Sequence, residues 1–202
     1  MYLSTSEVAA ELSVTPRQVR RSAAGGRFAA TTYGVSRAFS QRQVRARERT
    51  AHRGRDWTTM VQNAALDLLV TGTTTELSGS ERSRLKRRIR SYETGALAGQ
   101  ILRDRVTLRR ASSDEGRSKF ASTLAGELGL SAGGGLGVLV ALDSHRVARA
   151  ARLGLDDSGD IAVVEGDESH RRALEALVLY AYGDSRESSA AAEWLRSAQR
   201  SL

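Results

Sequence analysis

The sequence has no cysteine, a single proline and only 5% aromatic residues among its 202 residues. Without cysteine the chain has no disulfides, no thiol catalysis and no cysteine-ligated zinc or iron–sulfur site. Its three histidines, His52, His145 and His170, lie far apart and lack the spacing of metal ligands. The sequence therefore predicts neither a bound metal nor another cofactor.

Long apolar runs are missing as well. No stretch of 18 apolar residues occurs, and the first residues lack the basic-then-apolar order of a secretory signal. We therefore expect a cytoplasmic protein without a membrane partner. The chain is long enough for one large or two small domains, and its 40% hydrophobic and 27% charged residues are ordinary for a globular fold.

The net charge of +8 is concentrated at the N-terminal end. Residues 1–55 carry 11 basic and 3 acidic side chains (+8), residues 56–115 carry 10 and 8 (+2), and residues 116–202 carry 10 and 12 (−2). A basic segment joined to a nearly neutral remainder predicts phosphate binding at one end of the chain and a different task at the other.

Two helix starts lie close together in this basic segment. Ser4 with Glu7 three residues later forms one capping box, and Thr15 with Gln18 forms a second. Pro16, the only proline, occupies the favoured first position of the second helix. The two starts are eleven residues apart, which leaves room for two short helices and the tight turn of a helix-turn-helix.

The second helix would turn Val19 inward and leave its polar residues open. A hairpin wing is predicted around a turn at residues 33–36, followed by a third helix over residues 41–49 capped by Ser40. Arginine reads guanine and glutamine reads adenine in the major groove, whereas the wing and the third helix suit backbone contacts. The residues predicted to bind DNA are Thr15, Arg17, Gln18, Arg20, Arg21, Tyr33, Ser36, Arg37, Arg42 and Arg45.

This order of elements resembles the winged helix-turn-helix of the excisionase/MerR-like superfamily over residues 3–45. The matching stretches are Leu-Ser-Thr-Ser-Glu-Val-Ala at 3–9, Leu12-Ser13-Val14-Thr15, Val19-Arg20-Arg21, Gly26-Arg27-Phe28, and Phe39 with Val44. One departure is Ser22-Ala23, where the family usually has a larger aromatic or aliphatic residue. The resemblance implies a DNA-binding domain over residues 1–52, and a helix-turn-helix that contacts only protein is the alternative.

The rest of the chain alternates helical and strand-like patterns. A helical segment over 57–110 is predicted to hold helices at about 57–70, 80–92 and 94–104 and a strand at 105–110, followed by a hinge at 112–116. A C-terminal α/β part over 117–202 is predicted to hold helices near 118–128, 168–182 and 188–197 and strands at 138–141 and 161–164. The predicted class is α+β, mostly helical: an N-terminal winged helix-turn-helix, a helical middle and a small C-terminal α/β part.

Three other patterns carry weaker chemical signals. The glycine run at 133–137 precedes a strand and lacks a following lysine, so a flexible loop is favoured over a phosphate loop. A second basic patch would either widen a DNA footprint, dock on an acidic partner or form a solvated helix face; it comprises Arg84, Lys86, Arg87, Arg88 and Arg90. Carboxylates without metal-ligand spacing leave a metal-dependent nucleic-acid enzyme as a minor alternative; they are Asp143, Asp156, Asp157, Asp160 and Glu165.

The overall layout is similar to that of antitoxin-type autoregulators in type IV-like toxin–antitoxin modules with nucleotidyltransferase toxins. That likeness implies a nucleoid-associated repressor, not an enzyme, that binds its operator through the N-terminal domain and a toxin through the remainder. An excisionase-like architectural DNA-binding protein is the alternative. A homodimer stays open, because no long heptad pattern follows the third helix to supply a dimer arm.

Overall fold

The computed structural model describes residues 2–25, 30–33, 36–51, 55–130 and 135–202, with only the backbone at 31–33 and 36. The strands are β1 Tyr2–Ser4, β2 Thr31–Tyr33, β3 Ser36–Ser40, β4 Val106–Arg110, β5 Gly137–Ala141, β6 Gly154–Leu155 and β7 Ile161–Glu165. The helices are α1 Thr5–Glu11, α2 Pro16–Ala24, α3 Gln41–Arg49, α4 Thr59–Thr71, α5 Gly79–Ser91, α6 Thr94–Ile101, α7 Asp114–Ser118, α8 Thr123–Glu127, α9 Ser144–Ala150, α10 Arg171–Tyr182 and α11 Ser185–Arg200. The protein is thus a mixed α+β fold, mostly helical, as the sequence predicts.

The two predicted capping boxes start α1 and α2. Ser4 Oγ accepts a hydrogen bond from the Glu7 amide at 3.3 Å, and the Glu7 carboxylate accepts from the Ser4 amide at 2.7 Å. Thr15 and Gln18 repeat this exchange at the start of α2. Because each box satisfies amides that the first helical turn leaves open, it fixes where its helix begins.

The N-terminal residues form a small three-stranded sheet in the order β1-β3-β2, and both pairings are antiparallel. The predicted hairpin is confirmed where β2 pairs with β3, whereas strand β1 was not predicted. The two helices pack on this sheet around one apolar cluster of fully or nearly fully buried side chains: Leu3, Val8, Ala9, Val19, Phe39 and Val44. We call these elements, β1 to α3, the N-terminal module.

The remaining chain builds one body around a four-stranded sheet in the order β5-β7-β4-β6. Strands β5 and β7 are parallel and are connected through α9, whereas β4 is antiparallel to both of its neighbours. One continuous core takes in Ala46 of α3 and side chains from Trp57 to Leu202, and it includes most of α10. The segments 57–110 and 117–202, which the sequence separates, therefore share one sheet and one core.

Buried carboxylates tie loops of this body to its two C-terminal helices. Glu175 accepts hydrogen bonds from the Ser122 hydroxyl at 2.7 Å and the Leu124 amide at 2.8 Å. Glu187 accepts from the amides of Leu136 and Asp184, both at 2.8 Å. Each buried charge is thus satisfied by donors that include a distant segment, which holds these loops in place.

Some predicted details are wrong. The hinge at 112–116 contains the start of α7, and the single helix at 118–128 is replaced by the end of α7, a bridge between Ala121 and Gly137, and α8. The bridge interrupts the helix because it draws residue 121 to the edge of the sheet. Residues 133–134 of the glycine run lie outside the described residues, and Gly137 at its end begins β5.

Candidate nucleic-acid interface

Helix α2 presents one buried and one open face. Val19 is 1% exposed and belongs to the core of the N-terminal module. The residues around it on the helix, Arg17, Gln18, Arg20 and Arg21, are all exposed. Burial of Val19 therefore fixes the rotation of α2 and directs the polar residues to solvent, as the sequence predicts.

The open face of α2 and Arg37 of β3 form one groove of about 630 Å³. Its lining brings together six of the ten residues predicted to bind DNA, with Ala24 as the seventh member: Thr15, Arg17, Gln18, Arg20, Arg21 and Arg37. Within the described part of the chain, none of its four arginines makes an ion pair or a side-chain hydrogen bond. Four unpaired cations on one concave surface create a local positive field that attracts phosphate. We call this surface the α2 groove.

Gln18 has a structural task in addition to its place in the groove. Its Oε1 accepts hydrogen bonds from the Thr15 amide at 2.8 Å and from the Thr15 hydroxyl at 3.0 Å. Only its Nε2 remains for a ligand, so bidentate contact with adenine requires the cap to open. The four arginines are therefore the groups that the groove offers without structural cost.

The predicted wing corresponds to the β2–β3 hairpin, of which the structure describes the two strands. Tyr33 faces Ser36 and Thr32 faces Arg37 in the β2–β3 pairing. Arg37 is exposed at the α2 groove. The turn at residues 34–35 and the side chains of Tyr33 and Ser36 lie outside the described residues, so these two predicted contacts stay predictions.

Arg42 lies at the contact between α3 and the body. Helix α3 packs on α10, and the Arg42 Nη1 donates a hydrogen bond to the Tyr182 carbonyl at 3.4 Å. Burial at this contact lowers the pKa of Arg42, although Glu187 and Asp160 oppose that shift. The phosphate contact of Arg42 stays a prediction, and this hydrogen bond competes with it. Arg45 is exposed and stays available.

Ser40 does not cap the described first turn of α3 with its side chain, although the sequence predicts that it should. It occupies the N-cap position of α3, but its side chain makes no capping hydrogen bond to the described first turn of that helix. The residue is 1% exposed, and its Oγ has no hydrogen-bond partner among the described residues. The start of α3 is therefore set by the strand that precedes it and by packing, not by a side-chain cap.

Arg49 is the residue that sequence reasoning missed. Its Nη1 donates to the carbonyls of Gly183 at 2.7 Å, Tyr180 at 3.3 Å and Ala181 at 3.4 Å, at the C-terminal end of α10. Partial burial lowers its pKa, with nearby Arg45 adding to the shift. No local pattern marks Arg49, since the carbonyls that it satisfies lie about 130 residues away.

Two further side chains fasten the N-terminal module to the body. Gln43 donates a hydrogen bond to the Asp157 carboxylate at 2.9 Å, and the Tyr2 hydroxyl meets the Ser158 hydroxyl at 3.2 Å. Both contacts come from β1 and α3, and no residue of the α2 groove is hydrogen-bonded to the described body. The α2 groove is left uncovered.

Within the described residues, some side chains of the second basic patch are bonded to the protein, and others are free. The Arg88 guanidinium lies over the rings of Trp57 and Tyr92, 5.2 and 5.3 Å from their centroids, and its Nε donates to the Tyr92 hydroxyl at 2.8 Å. Arg84 bonds back to the Ser80 carbonyl at 3.3 Å. Lys86 is half-buried, whereas Arg87 and Arg90 are exposed and have no partner among the described residues. Only part of the patch is free to bind.

Four of the five candidate metal ligands, all except Glu165, make structural contacts. Asp156 pairs with Arg110 at 2.6 Å, Asp160 with Arg117 at 3.3 Å, and Asp143 caps α9. Together with Asp157 on Gln43, these carboxylates point to different partners. Among the residues that the structure describes, no group of three or more histidine or carboxylate side chains could hold a metal ion.

No protein-family model matches the chain, and neither a curated protein nor a solved structure does. In the described ranges, every helix is too short or too polar to cross a membrane. Any function assigned to the protein therefore rests on the residues and geometry of the α2 groove.

Proposed function

We propose that the protein is a sequence-specific, double-stranded-DNA-binding transcription regulator that reads the major groove with α2 of a winged helix-turn-helix. The observation that carries the proposal is the α2 groove, where four unpaired arginines from the described parts of α2 and the wing line one concave surface. Charge of this kind supplies affinity through phosphate, and arginine at the helix supplies base contacts.

The dimensions of α2 support this use. A nine-residue helix is about 13 Å long, and the major groove is about 12 Å wide. The capping box of Thr15 and Gln18 and the burial of Val19 fix both the start and the rotation of α2 before any ligand binds. A recognition helix that is already formed binds without the entropic cost of ordering its backbone, so only the arginine side chains have to be ordered.

A pair of double variants tests DNA binding. We expect Arg17→Ala with Arg20→Ala to reduce the preference for the protein's own upstream DNA over a random duplex by about tenfold or more for each of the two arginines that reads a base. The matched control, Arg146→Ala with Arg149→Ala, removes the same charge from α9 of the body and should retain the preference. Gel shifts with both duplexes measure it. Equal preference in the two double variants would refute recognition by α2.

We further propose that the protein is an antitoxin-like autorepressor whose body binds a protein partner, the cognate toxin. Two large apolar side chains of the body, one at each edge of the sheet, are the candidate partner contacts: Leu142, which follows β5, is 71% exposed, and Leu155 in β6 is 70% exposed. Removing residues 1–55 is a poor test, because it would strip Arg49 from the end of α10. The full-length variants above should instead still co-purify with the product of the neighbouring gene, whereas Leu142→Ser with Leu155→Ser should not.

A further inference from the structure

A second positively charged cleft lies at the corner where α5, α6, α10 and α11 meet. It has a volume of about 640 Å³. Its charged lining consists of Arg90 from the last turn of α5, Arg196 and Arg200 from α11, and Glu93. Three arginines and one glutamate leave a net charge of +2, which the rest of the lining does not neutralise.

The three arginines are held near one another without a counterion from the described protein. All three are exposed, and among the described residues none has an ion pair or a side-chain hydrogen bond. Arg196 and Arg200 are one helical turn apart on α11, where like charges repel each other. An anion in the cleft would remove this repulsion and gain charge-assisted hydrogen bonds from several guanidinium groups.

The walls of the cleft are rigid. Gln199 donates from Nε2 to the carbonyls of Ile89 and Tyr92, at 2.7 and 2.9 Å. The Tyr180 hydroxyl donates to the Arg49 carbonyl at 3.3 Å. With their polar groups engaged in this way, the neutral side chains form a frame, and the arginines are left as the groups that meet a ligand.

Residues of α3 contact both the N-terminal module beside the α2 groove and the body beside the cleft. Arg47 shares a depression with Arg21 and Gly25 of the N-terminal module. It also acts electrostatically on Tyr182 of the body. Two residues further along α3, the Arg49 carbonyl closes the wall of the cleft. The basic residues thus extend from the α2 groove across α3 to the corner of the body.

We propose that this cleft binds backbone phosphates of the same DNA duplex, on the flank of the site that α2 reads. The inference rests on the proposed function and gives the body a direct part in DNA binding. Phosphate is the favoured ligand because each of the three cations is an arginine, whose fork of donors matches phosphate oxygens. Base reading is not expected, since the tyrosine hydroxyls at the cleft are already bonded.

The test measures the salt dependence of binding to duplexes of two lengths. Removing two phosphate-binding cations lowers the slope of log K against log salt by about 1.8. We therefore expect Arg196→Ala with Arg200→Ala to reduce the slope by about that amount on a duplex extended by about 10 base pairs, one helical turn, on each side of the α2 site. On the short duplex, and for the control Arg146→Ala with Arg149→Ala, the slope should not change. Alanine is a strong helix former, so α11 should keep its structure.

The outcomes separate this inference from the proposed function. If the wild-type protein binds no duplex, the proposed function fails and the inference fails with it. If the wild type binds and the α11 double variant keeps the wild-type slope on the long duplex, the inference alone is overturned. Inorganic phosphate serves as a further probe. Suppose that phosphate stabilises the wild-type protein but not the α11 double variant, while the variant keeps the wild-type salt slope on DNA. That result would assign the cleft to a free phosphate ligand and overturn the DNA assignment.

Discussion

Replacing Arg49 should destabilise the whole protein although the residue is far from the α2 groove. Arg49 satisfies carbonyls at the end of α10, and its strongest contact is the 2.7 Å hydrogen bond to the Gly183 carbonyl. The Tyr180 carbonyl also accepts from the Ser188 hydroxyl at 2.8 Å, so it keeps a partner when Arg49 is removed. Among the described residues, no other side chain donates to the Ala181 and Gly183 carbonyls.

The size of the effect follows from these contacts. A hydrogen bond from a charged group contributes about 1.5–3 kcal/mol, and a cation at a helix C-terminus adds about 0.3–1 kcal/mol. The cost of partly burying the guanidinium offsets some of this gain. We expect Arg49→Ala to lower the free energy of unfolding by about 2 kcal/mol, which corresponds to a fall in Tm of roughly 4–8 °C for a chain of this size.

The matched control lies on the same helix. Arg45→Ala removes the same charge from an exposed position one turn earlier and should change the free energy of unfolding by less than about 0.5 kcal/mol. Arg49→Lys keeps the charge but not the planar fork, and should fall between the two. Urea unfolding followed by circular dichroism measures all three. Unfolding of Arg49→Ala and Arg45→Ala at the same urea concentration would refute a stabilising role for Arg49.

Two more predictions concern single positions. Burial raises the pKa of Asp157 above its usual value, against the opposing hydrogen bond from Gln43. The folded state therefore binds more protons than the unfolded state, and stability falls as pH rises from the unfolded-state pKa through the folded-state pKa. Asp157→Asn should be more stable than the wild type at pH 7 and equal to it below about pH 3, as measured by urea unfolding at both pH values. Gly95→Ala should be destabilising because the added Cβ would lie 2.2 Å from the Arg49 carbonyl oxygen. In Gly126→Ala in α8 the added Cβ meets no atom within 4 Å, so this variant should be stabilised by about 0.5–1 kcal/mol. Melting temperatures that move in the same direction for both variants would contradict these expectations.

Part of the candidate site could be predicted before the fold was known. The exposed arginines of α2 follow from the burial of Val19 and the spacing of a helix, and the hairpin places Arg37 near them. The contact of Arg42 with the Tyr182 carbonyl could not be predicted, because the same helical spacing does not say which face of α3 meets the body. Arg196 and Arg200 carry no motif, and they join Arg90 only because α11 packs beside α5.

Short-range sequence signals are enough to fix where α1 and α2 begin. Ser4 with Glu7 and Thr15 with Gln18 set two helix starts, since each signal acts between residues three positions apart. Packing between distant segments sets which cations remain free. The Arg49 side chain donates hydrogen bonds to carbonyls at the end of α10, whereas the Arg17 side chain is exposed in the α2 groove. The physical reason is that the partners of a side chain depend on packing between segments more than a hundred residues apart, which no short-range pattern encodes.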